Sequence, residues 1–195
     1  MPFFKYFFLS ALFLLLVSAA GQQKLSEGAR VLFKNSKTSL PVRAKNDVFE
    51  KTGFVLTPDK KQFLISNDSS AAAFPFKAGV YPTDINQDGI EEIFLVFGNE
   101  YTSGKTGTNI LLFINDRAGS YQSNFGFSGG MPVLLPTKHL GYPDLLIGGP
   151  GTIFPVWKWN GKEYEFYKTL QQQQLKKLKT VTVASASLFY TNTVR

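Results

Sequence analysis

The chain of 195 residues contains no cysteine, a single histidine and two methionines. Without cysteine it can form no disulfide framework, no thiolate zinc site, no iron–sulfur cluster and no cysteine nucleophile. A single histidine also excludes a metal cage built from several imidazoles. The core, the β-sheets and a metal bound through oxygen atoms are left as sources of stability.

Long basic runs are also missing, although 21 Lys and Arg face 14 Asp and Glu. The cations are spread from Lys24 to Lys179, whereas a nucleic-acid-binding protein would cluster them into a stripe. We therefore expect no nucleic-acid partner and attribute the charge to solubility and attraction to acidic cell-surface polymers. With 44% hydrophobic and 18% charged residues, the chain is too apolar to be disordered.

The N-terminal segment Met1–Ala20 has the features of a secretory signal peptide. One early cation, Lys5, precedes an apolar run that is followed by small residues. The run is shorter than the roughly 20 residues of a spanning helix, so an uncleaved anchor is the less favoured alternative. Cleavage is expected after Ala20 or after Gly21, and the later cut would remove a signal peptide of residues 1–21. We expect a periplasmic or secreted protein without stable membrane insertion.

The remaining chain has the length of one domain. We expect a polar segment over residues 22–43, a single β domain over 44–169 and a basic C-terminal tail over 170–195. Within the first, Arg30–Lys34 fits either a strand or a helical turn. Within the last, strand-like sequence over Thr180–Ala184 and Leu188–Tyr190 indicates an added strand or a poorly ordered tail.

Short apolar runs separated by turn residues dominate the β domain. One short helix is expected over Lys45–Lys51, and Phe54–Leu56 with Gln62–Ile65 predicts a hairpin around a Pro-Asp turn. Further strands are expected over Glu92–Phe97, Asn109–Asn115, Tyr121–Phe125, Met131–Leu135, Asp144–Ile147, Phe154–Trp159 and Glu163–Lys168. The pattern predicts an all-β protein of short, mostly antiparallel strands, arranged as propeller-blade-like sheets, a small sandwich or a barrel.

Asn160-Gly161 is the strongest hairpin signal, because a type I′ turn needs positive φ at both central positions. A two-residue turn there would pair Trp159 with Lys162 and Trp157 with Tyr164. One face of the hairpin would then carry Trp157, Trp159, Tyr164 and Phe166. Such a face can stack on sugars, but we interpret it as the core face of an antiparallel sheet.

The segment that carries chemistry is Asp84–Glu92, which reads D-x-N-x-D-G-x-x-E and leads into a strand. Oxygen ligands at alternate positions of a tight loop converge on a hard cation, and glycine in sixth place allows the sharp turn. The predicted Ca²⁺ ligands are Asp84, Asn86, Asp88, the Ile90 carbonyl and Glu92. An EF-hand would require a bidentate Glu in twelfth place, where Leu95 stands. The alternative is a polar turn with local backbone hydrogen bonds only.

This segment resembles the calcium loop of FG-GAP/VCBS-type repeats. The longer stretch Phe49–Lys168 is similar to small uncharacterised bacterial exported proteins with such a repeat, through Gly53-Phe54, the loop, and Gly141–Gly151 leading into Phe154–Gly161. The resemblance implies a loop joining two strands of a small antiparallel sheet, with the same ligand positions. The family usually has Asp in ninth place, so the longer Glu92 would bind directly or through water. No activity is implied.

An internal comparison predicts a degenerate second repeat over residues 136–149. Pro82-Thr83 precedes the loop as Pro136-Thr137 precedes the second segment, and Gly89–Ile93 parallels Gly141–Leu145. The second segment has fewer residues between Thr and Gly and lacks the metal ligands. Coincidence between two short apolar strands is the alternative.

The sequence lacks the parts of a catalytic site. His139 is the only histidine and is expected at the surface. Glu91 and Glu92 are adjacent, so in a strand they face opposite ways and cannot form an acid–base pair. We expect no enzyme, although an envelope-degrading activity dependent on His139 or Asp144 would indicate a minimal hydrolase.

The favoured function is an exported calcium-binding β-module with a non-catalytic binding or structural role at the cell envelope. Its partner would be a protein or an envelope glycan, and the chain itself is expected to be a monomer. An exported enzyme inhibitor or accessory protein is the alternative.

Overall fold

The computed structural model describes residues 23–65, 69–149 and 151–193. The predicted signal peptide lies outside these residues. In the described part of the chain, no helix is long and apolar enough to cross a membrane.

Short strands make up most of the described secondary structure. The helices are α1 (Glu27–Leu32), α2 (Val42–Thr52), α3 (Glu100–Ser103), α4 (Gln172–Leu175) and α5 (Val183–Thr193), with 3₁₀ turns at Ser69–Ala73 and Gly104–Thr106. The strands are β1 (Phe54–Leu56), β2 (Phe63–Ile65), β3 (Ala78–Thr83), β4 (Glu92–Phe97), β5 (Asn109–Asn115), β6 (Tyr121–Ser128), β7 (Val133–His139), β8 (Tyr142–Leu146), β9 (Ile153–Trp159), β10 (Tyr164–Gln171) and β11 (Val181–Thr182).

Two antiparallel meanders form the body of the fold. The first meander has the order β3-β4-β5-β6, and the second has the order β10-β9-β8-β7 with β11 added beside β7. Strands β1 and β2 form a separate hairpin. The all-β prediction is therefore confirmed, and each meander has the up-and-down order of a propeller blade.

Strand β4 lies in the middle of the molecule and is buried on both faces. Ile93 and Leu95 pack with the N-terminal helices and the β1–β2 hairpin, whereas Phe94 packs with the second meander. Successive side chains of a strand point to opposite faces, so a strand buried on both sides reads as a continuous apolar run. The predicted bounds Glu92–Phe97 are confirmed for this reason.

The N-terminal segment contributes a helix of its own. Helix α1 begins after Ser26, whose side-chain oxygen accepts a hydrogen bond of 3.2 Å from the Ala29 N–H. Leu32 is buried in the same cluster as Val48 of α2. Of the two alternatives for Arg30–Lys34, the strand is therefore wrong, and the structure has two helices here where the sequence predicted one.

The C-terminal segment adds a short strand and a helix. Thr182 of β11 pairs with Val133 of β7, and its hydroxyl then accepts from the Ser185 N–H at 3.1 Å, which caps α5. Val183 and Ser187 are the buried residues of that helix, four positions apart and so on one helical face. The predicted strand at Leu188–Tyr190 is wrong, because those residues belong to α5, which packs against β3.

The β9–β10 hairpin has a four-residue connection. The Asn160 side-chain oxygen accepts from the N–H groups of Lys162 and Glu163, both at 2.9 Å. Trp159 consequently pairs with Tyr164, and the predicted two-residue turn is wrong. Up to the bulge after Phe166, the register differs from the prediction by two residues, which leaves the paired side chains on their predicted faces. The observed pairs therefore keep the tryptophans, Tyr164 and Phe166 together, although Phe166 is 57% exposed.

Gly28 sets the close approach of α1 to α2. A Cβ atom built there would lie 1.9 Å from Cζ of Phe49. A Gly-to-Ala change inside a helix ordinarily gains about 0.5–1 kcal/mol, but this one must displace the ring. We expect Gly28→Ala to lower the free energy of unfolding by about 1–3 kcal/mol, measured by urea denaturation. Gly130→Ala, where the nearest atom is 3.4 Å away, is the control and should change little.

Candidate metal centre

The predicted calcium loop joins β3 to β4 at one end of the first meander. Thr83, the last residue of β3, pairs with Glu92, the first residue of β4, so the strands close the base of the loop. Gln87 and Gly89 have φ values of 63° and 84°. These left-handed conformations give the tight reversal for which glycine in sixth place is suited.

The side chains of Asp84, Asn86 and Asp88 turn into this loop. Asp84 accepts hydrogen bonds of 3.0 Å from the N–H groups of Asp88 and Gly89. Asn86 accepts from the Asp88 N–H at 3.1 Å, and Asp88 accepts from the Ile90 N–H at 2.9 Å. Three oxygen-bearing side chains at alternate positions therefore converge, as both the calcium loop and the polar turn require.

Glu92, the fifth predicted ligand, is directed into the protein. Its side chain is buried, with one oxygen accepting from the Ile85 N–H at 2.9 Å and the other from the Tyr142 hydroxyl at 3.2 Å. Burial raises the pKa of Glu92 to about 8, and the charges of Asp88 and Asp84 act in the same direction. The ion pairs of the described residues do not include Glu92.

The acidic groups are not gathered as in a closed metal site. Within the described ranges, no three His, Asp or Glu side chains form a group that could hold a metal ion. Asp84 and Asp88 lie in the exposed part of the loop, while Glu92 bonds to Tyr142 of the second meander. The donor set nevertheless consists of carboxylate, amide and carbonyl oxygens, the ligands that Ca²⁺ takes in proteins.

Glu91 has a role that sequence reasoning did not find. It is 2% exposed, accepts from the Ser39 N–H at 2.8 Å and from the Thr38 hydroxyl, and its backbone carbonyl accepts from the Tyr121 hydroxyl at 2.8 Å. Burial, and then the charge of Glu91, raises the pKa of Tyr190 in α5 to about 12. Glu91 therefore connects the loop to both terminal segments.

The two adjacent acids face opposite sides of the first meander, as the strand pattern predicted. Glu91 contacts the segment before α2, and Glu92 contacts Tyr142 in β8. They do not form a carboxyl pair around a shared substrate position, which a glycosidase would need.

The turn of the predicted second repeat, residues 136–149, occupies the position in the second meander that the Asp84–Glu92 loop occupies in the first. It joins β7 to β8 through a tight turn, with Leu140 and Gly141 at φ values of 49° and 88°. Asp144, which aligns with Glu92, is also buried, and one of its oxygens accepts from the Thr137 hydroxyl at 2.5 Å. His139 lies in the same turn region, with Nδ1 2.8 Å from the Trp159 carbonyl oxygen.

No protein-family model, no curated protein and no solved structure matches this chain. The resemblance to FG-GAP/VCBS-type repeats therefore depends on the residues of the loop and on the segments Gly53-Phe54, Gly141–Gly151 and Phe154–Gly161.

Proposed function

We propose that the protein is an exported calcium-binding β-module of the FG-GAP/VCBS type, with a non-catalytic binding or structural role at the cell envelope. One observation carries the proposal. A single strand-to-strand loop combines three oxygen-bearing side chains at alternate positions with a buried acid, Glu92, at its end. A cation is the simplest partner for that combination.

An ionised Glu92 needs a cation to compensate it, since without one the carboxyl group keeps its proton up to about pH 8. An ionised carboxylate is costly to bury unless a charge or several hydrogen bonds compensate it. Glu92 receives hydrogen bonds only from neutral groups, and Asp84 and Asp88 add negative charge nearby. A divalent ion held by Asp84, Asn86, Asp88 and the Ile90 carbonyl would offset this repulsion, with Glu92 binding directly or through water.

A calcium ion there would act as a cross-link in a protein without disulfides. The loop connects β3 to β4, Glu92 bonds to the second meander through Tyr142, and Glu91 bonds to the segment before α2. Fixing the loop would therefore stabilise contacts between three parts of the fold. This is a structural role that needs no catalytic group.

We expect calcium to raise the melting temperature of the purified protein. We take a site with a dissociation constant of ~10⁻⁴ M. A free calcium concentration about a hundred times that constant raises the free energy of unfolding by about 2.7 kcal/mol. For a chain of this size, the melting temperature then rises by about 5–11 °C. Asp88→Ala should abolish the gain because it removes a ligand from the centre of the loop. Thermal melting in calcium and in a chelator measures both.

Asp116→Ala is the matched control for this experiment. Asp116 also lies in a turn between strands, and its side chain also accepts two backbone N–H bonds, from Ala118 and Ser120. That variant should keep the full calcium response. A wild-type protein whose melting temperature does not change across millimolar calcium would refute the metal proposal.

A further inference from the structure

A groove with a volume of about 780 Å³ lies between α1, the β1–β2 turn and the start of β3. Its walls concentrate positive charge from three separate segments of the chain. The cations are Arg30, Lys34, Lys60, Lys61 and Lys77, whereas the acids are Glu27 and Asp59. We call this the basic groove. Its floor includes the buried ring of Phe63.

The acids of the basic groove are already engaged. Glu27 pairs with Arg30 at 3.1 Å and with Lys60 at 2.9 Å. Asp59 accepts hydrogen bonds from the Thr57 hydroxyl at 2.6 Å and from the Lys61 N–H at 3.1 Å. The ion pairs of the described residues do not include Lys34, Lys61 or Lys77, so these ammonium groups remain to attract an anion.

The turn that presents Lys60 and Lys61 has a defined conformation. Lys60 has a φ of 58°, and its N–H donates to the Thr57 carbonyl at 2.8 Å. The Asp59 side chain closes the same turn through Thr57 and Lys61. A ligand that bound there would therefore order mainly lysine side chains, which limits the entropic cost of binding.

The basic groove lacks the features that a peptide or a nucleic acid would use. The N–H and C=O groups of Phe63 pair with Phe76, and both backbone groups of Gln62 bond to Thr57, so the β1–β2 hairpin offers a peptide strand no free edge in the groove. Among the described residues that line it, the only aromatic one is Phe63, which is 2% exposed. Bases therefore have no stacking platform.

What the groove does offer is unpaired ammonium groups together with the side-chain amides of Asn35 and Gln62. Ammonium groups attract carboxylate or phosphate, and amides can hydrogen-bond to sugar hydroxyls. We propose that the basic groove binds an acidic polysaccharide of the cell envelope. The inference deepens the envelope-binding role proposed above and rests on it, but it does not depend on calcium, because the groove shares no residue with the Asp84–Glu92 loop.

The test measures the affinity of the purified protein for defined polymers at low ionic strength. Polygalacturonate and poly(glycerol phosphate) represent carboxylate and phosphate glycans, with dextran, polyglutamate and single-stranded DNA for comparison. The groove variant combines Lys34→Gln, Lys61→Gln and Lys77→Gln. The control combines Lys105→Gln, Lys162→Gln and Lys176→Gln, three exposed lysines elsewhere with the same change in net charge. Each titration is run with calcium and with a chelator.

We expect at least one acidic polysaccharide to bind, dextran not to bind, and added salt to weaken binding. The groove variant should bind about tenfold more weakly, the combined effect of three exposed ion pairs, and the control should change by less than about threefold. Equal losses in both variants, no binding of either glycan, or tighter binding of polyglutamate or DNA would overturn the inference. Glycan binding that survives in a protein without a calcium response would refute only the metal proposal.

Discussion

The melting temperature of the protein in a chelator is expected to fall as the pH rises from about 5 to about 8. The group responsible is Glu92, whose pKa burial raises to about 8 in the folded state. In the unfolded chain the same carboxyl group titrates near its ordinary value of 4.5. Between these values the folded protein holds a proton that the unfolded chain has released.

The sign of the effect follows from this difference in proton binding. Stability falls with pH wherever the folded state binds more protons than the unfolded state. The contribution of Glu92 is therefore complete below about pH 4.5 and is lost as the pH rises through about 8. At 1.36 kcal/mol for each unit of pKa difference, the loss across this window is of the order of 3–5 kcal/mol.

Glu92→Gln is the variant that isolates this effect. The amide keeps an acceptor for the Ile85 N–H and a polar atom for Tyr142, but it cannot ionise. The difference in unfolding free energy between wild type and variant should therefore follow the pH, while contributions from all other titrating groups cancel. At pH 8 in a chelator, Glu92→Gln should be the more stable protein.

Calcium should remove the contribution of Glu92 to the pH dependence of the wild type, because a cation beside the loop favours the ionised carboxylate. The measurement is urea denaturation at pH 5, 6.5 and 8, with calcium and with a chelator. A wild-type stability that does not differ from that of Glu92→Gln at any of these pH values would contradict the assignment of the pH effect to Glu92.

The strands that the sequence predicted best are those buried on both faces. The bounds of β4 and β5 agree with Glu92–Phe97 and Asn109–Asn115, because the inner positions of both strands are apolar on both faces and polar residues mark their ends. Strand β3 was missed, since Gly79 and Pro82 interrupt its apolar pattern. As an edge strand of the first meander, it tolerates proline, which removes a backbone donor.

The remaining differences between the predicted and the observed structure arise from contacts that cannot be predicted from neighbouring residues in the sequence. The Asn160 side chain closes a four-residue connection where Asn-Gly indicated a two-residue turn. The residues of α5 have no clear helical period, and their conformation depends on packing against β3. The positions of the five predicted ligands within one loop followed from their spacing, but the direction of Glu92 depends on Tyr142, which is distant in sequence.

Glu91→Ala is expected to lower the free energy of unfolding by about 2–3 kcal/mol. The change leaves the Ser39 N–H and the Thr38 hydroxyl without their acceptor in a part-buried position, and an unsatisfied donor costs about 1–3 kcal/mol when water cannot reach it. It also empties the space beside Tyr190 of α5. Urea denaturation gives the loss, and amide exchange at Ser39 should become faster than in the wild type.

Glu50→Ala is the control, because Glu50 is exposed on α2 and surface changes usually stay within about 0.5 kcal/mol. A Glu91→Ala protein as stable as that control would refute the role assigned to Glu91. Glu91→Gln, the change that matches Glu92→Gln, sharpens the test. Both acids are 2% exposed and adjacent, yet at pH 8 in a chelator one change should destabilise and the other stabilise. Burial alone predicts the same sign for both, so opposite signs would show that the surrounding donors and charges decide the outcome.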